Sequence, residues 1–136
     1  MIRQATAADI PHIVAMGRDF HAAAKPSWPW SDEGFEASIA GLIDRAFLSV
    51  SEQGFFLGMI AAFPFNPNWV QAHELLWWSQ DGTGPKHAKA FRQWAEGLGA
   101  NEVCWSCRAD NDRVAAFYTK IAQPSELHFS EILTCA

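Results

Sequence analysis

A chain of 136 residues that is 49% apolar and 18% charged is long enough for one domain with a real core. It lacks the low hydrophobicity and high net charge of a disordered chain. Ten Lys and Arg against fifteen Asp and Glu leave a net charge of −5, which excludes the broad basic face that coats nucleic acid.

The longest apolar run, Phe55 to Phe63, is interrupted by Gly58 and is too short for a membrane span. No basic segment leads into an apolar stretch at the start, so no signal peptide is expected. No repeat, low-complexity tract or linker divides residues 1–136, which read as a single domain.

In chain order, Ile2-Arg3-Gln4-Ala5 alternates like a short strand, and Thr6 with Asp9 has the form of a capping box. Ile10, Ile13, Val14, Gly17 and His21 follow at helical spacing, with Pro11 tolerable close to the helix start. Lys25 to Ser31, with two prolines, must be a loop. Asp32 can cap a second helix striped by Phe35, Ile39, Leu42 and Ile43. Phe47 to Glu52, a turn at Gln53-Gly54 and Phe55 to Phe65 form a hairpin, which Asn66-Pro67-Asn68 breaks.

A strand over roughly Ala72 to Ser79 leads into the turn Gln80 to Pro85, where Pro85 suits a first helical position. Ala88, Phe91, Trp94, Ala95 and Leu98 stripe the helix that follows, and Gly99 can end it. Glu102 to Cys107 is a further strand. Asn111 or Asp112 starts a helix striped by Val114, Phe117, Tyr118 and Ile121, and Leu127 to Cys135 is strand-like. The predicted order is β-α-α-β-β-β-α-β-α-β, an α/β domain.

Strand, glycine turn and helix in succession point to anion chemistry. Unpaired N–H groups and the dipole at a helix start favour phosphate oxygens, and glycines let the backbone come close. Lys86, His87 and Lys89 stand in the first turn, where a cation costs about 0.3–1 kcal/mol. A bound phosphate would reverse that sign; simple solvation of the three side chains is the alternative.

These stretches resemble the GNAT superfamily of acetyl-CoA-dependent N-acetyltransferases over nearly the whole chain. Residues 2–11 resemble its opening strand and helix, and Gly82 and Gly84 its pyrophosphate loop. Ala90-Phe91, Trp94-Ala95 and Gly99-Ala100 resemble the helix after the loop, and Asn111, Ala115 and Tyr118 its last conserved helix. Phe65-Asn66-Pro67 and Glu74-Leu75 to Trp77-Trp78 are similar to short GNAT-like proteins encoded by bacteriophages. The family's loop begins with Gln or Arg and carries Gly or Ala at its sixth position; counted from Asp81, this chain has Asp81 and Lys86 there.

The resemblance implies a mixed, mostly antiparallel central sheet flanked by about four helices. It also implies an acetyl-CoA site between the strand ending near Ser79 and the strand from Glu102. Backbone groups of Trp77, Trp78 and Ser79 would bind the pantetheine arm. The diphosphate would rest on Gly82, Thr83, Gly84, Pro85, Lys86 and His87, and Asn111 and Tyr118 would approach from the far side.

Acyl transfer needs a neutral amine and a protonated leaving thiolate. Glu74 is the candidate base, and an apolar setting would have to lift a carboxylate from its usual pKa of about 4.3. A structural hydrogen bond or ion pair is its alternative role. Tyr118 is the candidate acid, with core packing as its alternative. Trp28 and Trp30 could wall a pocket for the acceptor or cover the sheet edge.

Cys104-Trp105-Ser106-Cys107 has redox-motif spacing but lies in a predicted strand, so buried, unreactive thiols and no metal are expected. Three cysteines suit a reduced cytoplasmic compartment, which the phage resemblance would make that of an infected bacterial host. The expected partner is a small-molecule or peptide amine, with no nucleic acid and no membrane. The aromatic excess permits a homodimer. The alternative function is a catalytically inactive GNAT-like module that binds acyl-CoA or serves a structural, phage-associated role.

Overall fold

The computed structural model describes residues 1–134. Two compact units divide the chain, Met1–Cys104 and the residues from Trp105 onward.

In the first unit the elements are β1 (Arg3–Gln4), α1 (Ile10–Ala24), α2 (Asp32–Leu42), β2 (Phe47–Ser51), β3 (Gly54–Phe63), β4 (Asn66–Ser79), α3 (Gly84–Gly97) and β5 (Glu102–Cys104). The sheet runs β1-β2-β3-β4-β5, antiparallel throughout except for the parallel pair β4–β5.

Entry to α1 follows the expected capping box. Thr6 N–H donates to Asp9 Oδ2 at 2.8 Å, and Arg3 donates two bonds to the same carboxylate at 2.6 and 2.8 Å. Arg3 first, then Thr6, hold the Asp9 carboxyl well below the usual range. Ser31, not Asp32, caps α2: its Oγ accepts from Gly34 N–H at 3.0 Å. Its extended backbone suits a cap, whereas Asp32 is already helical and pairs with Arg18.

Alternation along β3 separates two apolar layers. Phe55 and Leu57 join Ile13, Met16, Ile39, Leu48 and Val50 beneath α1 and α2. Phe56 points the other way and meets Phe91 of α3, ring centroids 5.0 Å apart. Gly58 is glycine because a Cβ there would lie 2.2 Å from the Phe91 ring.

The break expected at Asn66-Pro67-Asn68 is instead the start of β4. Asn66 pairs with Phe63 and Val70 with Ala62, so residues 67–69 bow out of the ladder. Pro67, which has no N–H to donate, sits in that irregularity at no cost.

In the second unit Asn111 caps α4 (Asp112–Thr119), its Oδ1 accepting from Val114 N–H at 3.1 Å. The helix ends before Ile121, which is 47% exposed. No strand forms over Leu127–Thr134, and Cys135 lies outside the described residues. Leu127, Phe129 and Leu133 are each at least 84% exposed. Strand propensity records fit to a pleated, half-buried surface, and these residues lie on none.

Candidate functional site

Strand β4 delivers the first group of candidate residues. Its register against β3 skips at Leu75: Leu57 faces Leu76, but Gly58 faces Glu74. This one-residue bulge places Glu74 on the same sheet face as Trp77, the Phe56 and Phe91 face; an unbroken strand would set them on opposite faces. Glu74 is 6% exposed. Trp78 faces the other layer, edge-on to Phe20 of α1 at 6.1 Å.

The parallel ladder with β5 spans only Gln71–His73 against Glu102–Cys104. Beyond it, β4 continues to Ser79 in its antiparallel ladder with β3. β5 is thus three residues long, shorter than the expected Glu102–Cys107. Cys104 is half-buried, but Cys107 is exposed, against the expectation of burial. Among the described residues no three His, Cys, Asp or Glu side chains form a metal-binding group.

The glycine turn is more tightly stitched than its composition suggests. Gln80 N–H donates to Gln53 O at 2.8 Å, tying it to the β2–β3 turn. Asp81 then reaches back. Its Oδ2 accepts from Ser51 Oγ at 2.7 Å and from Gln53 N–H at 2.9 Å. Its Oδ1 accepts from Thr83 Oγ1 at 2.5 Å and from Thr83 N–H at 3.2 Å. Burial lifts the Asp81 carboxyl, but these donors, Thr83 first, outweigh it and hold the group well below the usual range.

Of the amides expected to grip a diphosphate, Thr83 N–H is therefore committed to Asp81. Lys86 N–H donates to Thr83 O at 2.9 Å, and Pro85 has no N–H. Gly82 and Gly84 keep theirs without a protein partner among the described residues. Gly82 needs its freedom, with φ of 74°. Gly84 lies under Trp77, where a Cβ would come within 2.4 Å of the indole ring.

His87 corrects the expected trio of cations. Its ring is fully buried, with Nδ1 2.6 Å from Ser49 Oγ and Nε2 3.3 Å from Ser51 Oγ. Burial pushes its pKa down to about 4, against the pull of the Asp81 charge. A neutral, enclosed imidazole cannot touch an anion in the turn; Lys86 and Lys89 remain exposed. Sequence reasoning missed Ser49 and Ser51. The signal was present, since two serines two apart in an apolar strand share one face.

Trp30 and Trp28 separate. Trp30 packs on Phe35 at 5.1 Å and closes over Gly17, where a Cβ would lie 2.9 Å from its ring. Trp28 is 48% exposed, and its carbonyl lies 2.8 Å from His21 Nε2. In the second unit Tyr118 is 8% exposed beside Trp105, centroids 5.5 Å apart, and the Asn111 Oδ1 serves the helix cap.

Comparison with known proteins gives a consistent result. The model of the family described as acetyltransferase (GNAT) domain matches residues 1–122. A crystal structure described as a probable acetyltransferase superposes with a TM-score of 0.77 at 11% identity, covering 100% of this chain and 97% of that one. A structure of AAC(6')-Iy in complex with the bisubstrate analogue CoA-S-monomethyl-acetylneamine gives 0.74 at 14% identity, covering 99% and 98%. An aminoglycoside acetyltransferase from an uncultured soil metagenomic sample gives 0.69 at 20%, covering 98% and 96%. At these identities the structures establish a shared fold. No curated protein matches the chain. No helix among the described residues is long and apolar enough to cross a membrane.

Proposed function

The chain belongs to the acetyltransferase (GNAT) family, and from that premise we propose that it moves the acetyl group of acetyl-CoA to an amine by direct transfer in a ternary complex. The observation that carries this reading is the turn between β4 and α3, which offers the N–H groups of Gly82 and Gly84 without a protein partner among the described residues.

Acetyl-CoA supplies an activated thioester. The chain's residues bind and orient it. The backbone from Trp77 to Ser79 suits the amide-rich pantetheine arm. The N–H groups of Gly82 and Gly84, with the Lys86 side chain, fit the diphosphate, and fixed N–H donors stabilise charge developing on an acyl oxygen. Glu74, nearly out of water on the Trp77 face, is the proposed acceptor of the proton that the amine must lose. Tyr118 is the proposed donor of a proton to the departing sulfur, and Asn111 supports it by starting α4. Trp28, the more exposed of the two loop tryptophans, is the better candidate for contact with the acceptor.

The acceptor is proposed to be a small-molecule or peptide amine; one similar structure is described as an aminoglycoside acetyltransferase and another holds a CoA–acetylneamine bisubstrate analogue, which supports the former. We read residues 1–136 as one catalytic domain acting in the cytoplasm, alone or as a homodimer. One observation favours an inactive acyl-CoA-binding module instead: the Asp81 carboxylate occupies the Thr83 N–H, a donor an active loop could use.

Calorimetric titration with acetyl-CoA followed by an amine screen decides between these. Binding with turnover that falls at least a hundredfold in Glu74→Gln and in Tyr118→Phe supports the enzyme. Binding without turnover supports the module, and no binding at millimolar acetyl-CoA overturns both.

A further inference from the structure

Ser49, His87, Ser51, Thr83 and Asp81 form one continuous side-chain network. The first four are each no more than 7% exposed, and no part of the chemistry above uses the network. The acceptor-only carboxylate sets the sense of its hydrogen bonds, beside a Ser51–Thr83 hydroxyl contact at 3.0 Å. An ionised carboxylate only accepts, so the hydroxyls of Ser51 and Thr83 must donate to Asp81. With its hydrogen spent there, Ser51 can only accept from His87 Nε2–H. The Nδ1 of that tautomer carries no hydrogen, so it accepts from the Ser49 hydroxyl at 2.6 Å. Every donor points one way, from Ser49 through His87 and Ser51 to Asp81.

The chain joins four places in the fold. Ser49 and Ser51 belong to β2, His87 to the first turn of α3, and Asp81 and Thr83 to the turn between β4 and α3. Asp81 also holds Gln53 N–H of the β2–β3 turn. A carboxylate that accepts from three hydroxyls and two amides, counting Ser79 Oγ at 3.2 Å, fixes the conformation of residues 80–84 from behind. What it leaves without a protein partner is the pair of amides at Gly82 and Gly84.

We propose that Asp81 is a positioning residue for the coenzyme's diphosphate, and that His87, acting through Ser51, holds Asp81 in place. The proposal rests on the coenzyme reading above. It explains why an acidic residue stands at the head of an anion-binding turn, where its charge alone would repel the ligand. The carboxylate binds no ligand; it sets the amides that do.

The test compares two ligands on the full chain by calorimetry: acetyl-CoA, and S-acetyl-pantetheine, which lacks the diphosphate. The quantity read is the affinity for acetyl-CoA divided by that for S-acetyl-pantetheine. Asp81→Asn places an amide hydrogen against donors and is expected to lower this ratio at least tenfold. His87→Asn keeps an amide near the Nδ1 position only and should lower it similarly. His87→Gln, which can still donate from near the Nε2 position to Ser51, should stay within threefold of the wild type.

An unchanged ratio in Asp81→Asn overturns the proposal. So does parallel weakening of both ligands, which a merely structural role would give. Tighter acetyl-CoA binding by Asp81→Asn would mean that the diphosphate feels the charge and not the placement, and would also overturn it. Should the His87 variants lose their near-ultraviolet circular dichroism, Asp81→Asn, altered at a residue that is not in the core, decides alone. A wild type that binds neither ligand removes the coenzyme reading and this inference with it. A wild type that binds acetyl-CoA while Asp81→Asn matches its ratio removes this inference only.

Discussion

Two loops were expected to touch ligands, and they are held by opposite means. The turn at 80–83 is fastened by a carboxylate, three hydroxyls and backbone amides. The loop at 25–31 is fastened mainly by rings, Trp28 on His21 at 4.9 Å and Trp30 on Phe35 at 5.1 Å, with two hydrogen bonds beside them: Trp30 Nε1–H to Asp32 Oδ1 and the Trp28 carbonyl with His21 Nε2. Polar fastening fixes direction, which suits a turn that must present particular amides. Ring packing fixes position over an area and leaves one face, that of Trp28, in solvent. The two loops should therefore fail under different insults.

The largest effect should come from the aromatic loop. Trp30→Ala removes the ring that closes over Gly17 and Phe35, and is expected to cost roughly 2–3 kcal/mol of stability, less than a fully buried Trp because Trp30 is only half-buried. Thermal melting at neutral pH should show a midpoint lower by about 5–10 °C; loss of the Trp30 Nε1–H donor also lets the Asp32 carboxyl rise toward its ordinary value. A loss below about 1 kcal/mol would break the comparison by showing that the rings merely decorate the loop.

The polar turn should instead be undone by acid, in two steps. His87 is neutral in the fold with a pKa of about 4, against an ordinary value of 6.5. Below pH 6.5 the unfolded chain gains a proton that the folded chain refuses, so stability falls as the pH drops from about 6.5 to about 4. Asp81 is held below the ordinary carboxyl value of 3.8, so its contribution is full above that pH and is lost as the pH falls further. Melting curves between pH 7 and 3 should show both steps, the lower one shared with Asp9, whose carboxyl is held low as well. His87→Gln should abolish the upper one and keep the lower; an upper step that survives would assign it to another histidine.

Legibility in the sequence followed the same division. Elements written in periodicity and capping were readable: α1 from Ile10, Ile13, Val14 and Gly17, α3 from Ala88, Phe91 and Ala95, and the Asn111 cap. The sheet face of Glu74 was not, because one bulge at Leu75 changes the face of every residue before it without leaving a mark in the pattern. His87 misled for a related reason. Position in the first turn of a helix predicts exposure, but the side chain turns inward to two serines 36 and 38 residues earlier in the chain. The segment from Leu127 misled in the opposite direction, since alternation supplies propensity but not a partner.

The smallest expected effect on stability is also the sharpest test of what the ring-built loop is for. Trp28→Ala deletes a ring that is already 48% exposed, and the hydrogen bond between its carbonyl and His21 survives because it belongs to the backbone. The loss should stay below about 1 kcal/mol, the worth of one aromatic pair. If the exposed face meets the acceptor, KM for the amine should rise severalfold while KM for acetyl-CoA stays at the wild-type value, because the polar turn lies on other residues with its own fastening. An aromatic face attracts a cationic amine by about 0.5–2 kcal/mol, so the rise should be largest for charged acceptors and small for neutral ones. Equal effects on both KM values would mean that the two loops are mechanically one, and that the contrast between rings and carboxylate describes only how each is built.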